Sequence, residues 1–223
     1  MKFMTKAVGL GLALIPLAGL AQAQELEWSG NVTLTTDYVF RGISQTNEDW
    51  AIQGGFDVSS GGFYAGTWAS NVDFEDDTDT NFEIDFYGGY TGAISETLSF
   101  DVGAVYYAYP DSSDSDLDLF EIYGGLAYES ETGFSLGGTL YYEPDVEYFV
   151  IDTSSGFAVN DFASLGGGLG IVEPDEGDGY TYWNVGGTLS FEGFDLDLRY
   201  HDTDLDDTGI AEERFVVSLS RSL

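Results

Sequence analysis

The chain has 223 residues, 40 of them acidic and 6 basic, with 16% aromatics and no cysteine. A formal charge of −34 excludes nucleic acid as a partner, because phosphate binding needs a basic face, and it disfavours polybasic attachment to anionic lipid. Without cysteine there is neither a disulfide framework nor a lipid anchor on a thiol.

Residues 1–23 read as a secretory leader. Lys2 and Lys6 form the positive start and Ala7 to Leu20 the apolar run. Ala21-Gln22-Ala23 is a small-x-small site that predicts cleavage before Gln24. The run contains Pro16 and Gly19 and is too short to span a bilayer. Losing Lys2 and Lys6 takes the charge to −36 and leaves residues 24–223 as one domain, whose basic side chains are Arg41, Arg199, Arg214 and Arg221.

From there the chain alternates apolar and polar residues in runs of about ten, the mark of strands with one face in an apolar medium. In the first run Trp28, Val32, Leu34, Tyr38 and Phe40 share the apolar face, opposite Asn31, Thr33, Thr35, Asp37 and Arg41. Further on, Phe82, Ile84, Phe86 and Tyr90 oppose Glu83, Asp85 and Tyr87, and Phe100, Val102 and Tyr106 oppose Asp101. Phe194, Leu196, Leu198 and Tyr200 oppose Asp195, Asp197, Arg199 and His201. The run at 63–73 is ambiguous: either Tyr64, Trp68 and Val72 or Phe63, Ala65 and Ala69 face outward.

The pattern predicts strands over 26–44, 49–59, 63–73, 81–91, 97–109, 117–128, 134–143, 146–153, 157–172, 180–191, 194–203 and 212–223, with a turn at Ser154–Gly156. Reading 144–170 as a long loop gives ten strands instead. Short turns (59–62, 92–96, 129–133, 192–193) alternate with longer polar loops (44–49, 73–80, 110–116, 173–179, 202–212). That alternation, and strands long enough for a tilted bilayer crossing, predict an all-β closed antiparallel transmembrane barrel with both termini on the short-turn side. A soluble sandwich also alternates, but its strands are usually five or six residues. Aromatics at the predicted strand ends fit interfacial girdles: Tyr38, Phe40, Trp68, Tyr106, Tyr141, Tyr142, Tyr182 and Trp183 at one side, Trp28, Phe63, Phe134, Phe191 and Phe194 at the other. Arg221 departs from the apolar face but sits at the rim, where it can snorkel. Gly-Gly pairs recur inside strands, as in FEIDFYGGY (82–90), LFEIYGGLAY (119–128), SLGGTLYY (135–142) and WNVGGTLSF (183–191), and are read as easing wall curvature.

VTLTTDYVFRGISQT (32–46) followed by AIQGGFDV (51–58) resembles the start of the TorF family of porin-like proteins. YYEPD (141–145) and the closing RFVVSLSRSL (214–223) are similar to the same family. The resemblance implies an outer-membrane barrel with passive transport. It supplies no substrate and no functional residues.

If the apolar face meets lipid, the other lines a lumen. The lumen-lining candidates are Asp37, Arg41, Glu83, Asp85, Asp101, Glu121, Asp195, Asp197, Arg199 and His201. An acidic ring with sparse arginine suits a cation-preferring constriction, yet the same side chains could pair with one another and simply fill a small barrel. Arg41 is expected to meet Glu83, Asp85 or Glu121. The acidic loops EDDTD (75–79), DSSDSD (111–116), EPDEGD (173–178) and DTDLDD (202–207) lack EF-hand spacing and read as solvated, though divalent ions could bridge them to lipopolysaccharide. No nucleophile-elbow or phosphate-loop motif is present, and His201 is the sole histidine. The sequence thus predicts no enzyme, metal or cofactor. It predicts an outer-membrane channel for small cationic or neutral polar solutes in contact with lipid and lipopolysaccharide, or alternatively a non-conducting structural or adhesive barrel. It leaves the oligomeric state open.

Overall fold

The computed structural model describes residues 25–74, 80–113, 117–145, 147–206 and 209–223. The leader, the loop 75–79 and parts of the loops at 111–116 and 202–207 lie outside the described residues. The strands are β1 (Glu27–Thr35), β2 (Val39–Phe40), β3 (Ile43–Ser44), β4 (Ala51–Ser60), β5 (Phe63–Asn71), β6 (Phe82–Ala93) and β7 (Leu98–Ala108). They continue with β8 (Leu119–Glu129), β9 (Phe134–Glu143), β10 (Tyr148–Asn160), β11 (Ala163–Glu173), β12 (Tyr180–Phe191), β13 (Phe194–Thr203) and β14 (Arg214–Ser222).

All but β2 and β3 form one closed antiparallel barrel of twelve strands, each paired with its chain neighbour. β1 closes the ring by pairing with both β4 and β14, with Leu34 opposite Ile52 on one side and Leu219 on the other. Closure leaves no unpaired edge, the condition for a sheet surrounded by lipid. The outer wall exposes large apolar side chains all round, such as Phe56, Phe86, Leu126, Leu165, Val185 (60%) and Phe215 (71%). A surface this apolar matches the lipid-facing band of such barrels. Arg221 stacks on the Phe194 ring at 4.7 Å, near the short-turn rim.

Twelve strands rather than ten are present, but two expected boundaries move. Ser154–Gly156 is not a turn: these residues lie within β10, in register with Gly168–Gly166 of β11, and the chain reverses at Asp161–Phe162. Small inward side chains made the wall look like a loop, whereas Asn160 and Asp161 are the residue types a turn prefers. The expected strand 26–44 ends at Thr35. Its remainder folds into the lumen as the β2–β3 hairpin, so Tyr38 and Phe40 do not face lipid: Tyr38 is 2% exposed. In β5 it is Phe63, Ala65 and Ala69 that face outward, while Tyr64 and Trp68 are buried inside. Trp68, Tyr141 and Tyr182 therefore belong to the lumen and not to an interfacial girdle. Tyr141 packs on Tyr123, and Tyr182 is buried.

Candidate functional site

The interior is organised by the hairpin at residues 39–44. Arg41 and Gly42 form its two-residue turn with φ of 49° and 84°, the paired positive values of a type I′ turn, and Phe40 stands opposite Ile43. The turn requires glycine at position 42: the φ is left-handed, and an added Cβ would strike Thr203 and Tyr182. The hairpin is tied down at its base. Asp37 accepts from the Ser44 hydroxyl at 2.6 Å, the Thr46 hydroxyl at 3.0 Å and Arg214 Nη1 at 3.1 Å. Tyr38 packs edge-on against Trp68 at 5.2 Å in a cluster with Ala51 and Val72, a contact worth about 0.5–1.5 kcal/mol beyond the area it buries. Its hydroxyl donates to Glu83 at 3.2 Å. Burial, reinforced by the charges of Glu83 and Asp85, pushes the Tyr38 phenol well above its ordinary range.

At the tip, Arg41 grips Glu121 with two parallel bonds, Nη1 to Oε1 at 2.7 Å and Nη2 to Oε2 at 2.9 Å. Tyr107 and Tyr148 also donate to Glu121, at 2.9 and 2.7 Å, so this fully buried carboxylate accepts four hydrogen bonds. The guanidinium lies among the Phe40, Tyr141 and Tyr148 rings at 4.6, 5.1 and 6.0 Å. Tyr180 donates to the Arg41 carbonyl at 3.2 Å. Burial alone would lower the Arg41 pKa, but the bonds to Glu121 and its charge hold it well above the ordinary value. The hairpin thus reaches from the β14 side, at Arg214, across the lumen to β8 and β10.

The remaining sequence candidates also lie inside. Asp101 accepts from Tyr64 at 2.7 Å, and the Tyr64 and Tyr123 hydroxyls bond each other. Asp195 accepts from Ser190 at 2.5 Å. Asp197 accepts from Thr188 at 2.7 Å and from Arg199, which also donates to Asn184 at 2.7 Å. His201 stands in register between Asn184 and Arg214 on the same inward face. Glu83 and Asp85 are 2% and 3% exposed, and Glu83 Oε2 and Asp85 Oδ1 have no hydrogen-bond donor among the described residues. The structure thus joins Arg41 to Glu121, leaves Glu83 with Tyr38, and gives Asp37 to Arg214.

Alternation points Tyr107 inward but gives no sign that Tyr38, Tyr148 and Arg214 are lumen groups, the Arg-Gly turn being the visible clue. The lumen is lopsided as a result. On β5–β8 the tyrosines lie flat across inward glycines, with the Tyr64 hydroxyl over Gly89 and the Tyr123 hydroxyl over Gly103. On the short-turn half of β9–β11 the inward positions are small, namely Ser135, Gly137, Ser154, Gly156, Ser164 and Gly166, whereas Tyr141 and Tyr148 fill the long-loop half. Ser154 points inward with Gly137 and is nonetheless exposed, so there is free space beside this half of the wall.

Several solved structures share this architecture. The KdgM porin superposes with a TM-score of 0.64 at 8% identity, over 87% of this chain and 99% of that one. The KdgM porin in complex with disordered oligogalacturonate gives 0.65 at 8% identity over the same shares. An outer-membrane channel from Pseudomonas putida F1 gives 0.51 at 12% identity, over 92% and 96%. At these identities the likeness is one of fold. No curated protein matches the sequence. Residues 21–222 match a family described as bacterial protein of unknown function (Gcw_chp), and the chain belongs to that family.

Proposed function

We propose that this protein is an outer-membrane channel for passive diffusion of small hydrophilic solutes, a porin of the TorF kind, with a preference for cations. Residues 1–23 direct export and are removed near Ala23. The long loops face outward toward lipopolysaccharide, and both mature termini are periplasmic. The observation that carries the reading is the polar, lopsided lumen: small side chains on the short-turn half of β9–β11 leave room beside the tyrosine-filled wall, and the hairpin narrows the other half.

The cation preference follows from the balance of charge inside. Asp101 and Asp195 meet only hydroxyls in the bonds described above. Arg41, Arg199 and Arg214 are already paired with Glu121, Asp197 and Asp37. Carboxylates lining a confined pathway attract cations and repel anions, and salt weakens the effect. An acidic lumen is a poor host for a polyanion such as the oligogalacturonate of the KdgM complex. The second reading, a non-conducting structural or adhesive barrel, draws on the hairpin that crosses the lumen.

Reversal potentials across a KCl gradient in planar bilayers test the preference. K⁺ should be favoured over Cl⁻, and neutralising Asp101 and Asp195 to amides should reduce the ratio. Anion selectivity would contradict the proposal.

A further inference from the structure

The geometry points to a binding site for guanidinium- or alkylammonium-bearing solutes in the barrel wall, formed by Glu121, Tyr107, Tyr141 and Tyr148 and occupied here by the protein's own Arg41. Its purpose rests on the cation-channel reading above, but binding itself does not require conduction.

The site belongs to the wall and not to the hairpin. Tyr107, Glu121, Tyr141 and Tyr148 come from β7, β8, β9 and β10, consecutive strands whose register is fixed by the ladder. Tyr107 and Tyr148 donate to Glu121 and aim its two oxygens at one cation, while the Tyr141 and Tyr148 rings flank the position where that cation sits. Two parallel carboxylate acceptors with aromatic faces alongside suit a planar guanidinium or a compact ammonium. Arg41 fills the site from a short, tethered turn, in a left-handed conformation that a non-glycine residue rarely adopts. It is a ligand the wall could exchange.

Tyr148 also lines an open cavity of about 410 Å³, together with Asp145, Glu147, Pro174, Asp175 and Glu176. Its carboxylates raise the local concentration of cations in a cavity that shares Tyr148 with the site. A cationic solute that reaches Glu121 takes the place of Arg41, and the displaced hairpin tip gives up its hold on the far wall.

Chemical rescue tests this. Arg41→Gly removes the side chain at a φ that glycine accepts, and its melting temperature in detergent should fall. Ethylguanidinium chloride at millimolar concentration should then recover part of the loss, by binding the folded state, while the same concentration of NaCl should not. Arg41→Gly combined with Glu121→Gln should show no recovery. Should Arg41→Gly fail to fold, Arg41→Lys keeps the charge without the paired bonds, and ethylguanidinium should still raise its melting temperature more than NaCl does. Equal response to both salts in the variant that folds, or equal rescue in the double variant, would overturn the site. All readouts are melting temperatures, so a silent bilayer would remove the channel and leave this site standing.

Discussion

Glu121 is fully buried and its charge is balanced by one guanidinium, so the two residues act as a unit. Breaking such a pair from one side typically costs about 3–5 kcal/mol, because the remaining charge stays buried and unpaired. The tyrosines add a second kind of residue-scale constraint. The Tyr123 hydroxyl lies where a side chain on inward Gly103 would go, whereas outward Gly124 has only an ordinary contact with Val102. Gly103→Val should therefore destabilise the barrel by about 1–3 kcal/mol, the usual cost of overpacking, while Gly124→Val should be near neutral. Denaturant midpoints of the two variants in detergent check the contrast, and equal losses would mean that Tyr123 does not occupy that space.

At the scale of elements, the wall strands were legible because lipid outside and a polar interior impose a strict period of two on residues such as Phe82–Tyr90 and Phe194–Tyr200. The same rule hid the hairpin. Tyr38 and Phe40 continue the alternation of β1, and an apolar side chain reads alike whether it meets lipid or the packed inside of a barrel. The missed signal was Phe-Arg-Gly-Ile at 40–43, which matches the turn Phe-Glu-Gly-Phe at 191–194, where Glu192 and Gly193 have φ of 49° and 83°. Tyrosine-lined lumens also put aromatics on both faces, so alternation leaves the facing of Trp68 open and gives no sign that Tyr182 turns inward. The strand-borne acids among the candidate site residues hold the parity opposite the apolar wall and are buried. Which acid Arg41 meets depends on how far the hairpin reaches, and a period of two carries no information on that. Gly42→Val should dislodge the hairpin, because the left-handed backbone and the contacts with Thr203 and Tyr182 leave no room for it. Limited proteolysis should then cut within 39–46, which the wild-type protein should resist. An uncut variant would show that the turn tolerates a side chain.

For the whole molecule, closure by β1 and β14 and an even strand number bring both described ends to the short-turn side. If that side is periplasmic, Asp175→Cys in a long loop should react with an impermeant thiol reagent on intact cells, and Thr132→Cys in a short turn should not. The reverse pattern would invert the barrel. The molecule as a whole is then a wall built for lipid, a tyrosine-packed half-lumen, a patch of small inward residues near the short turns and a hairpin that narrows the lumen. Single-channel conductance tests that arrangement most directly, comparing the wild-type protein with a variant in which residues 39–44 are replaced by a Gly-Ser linker. The account predicts a small conductance for the wild type and a clearly larger one for the variant. No conductance from either protein, with both folded, would contradict it.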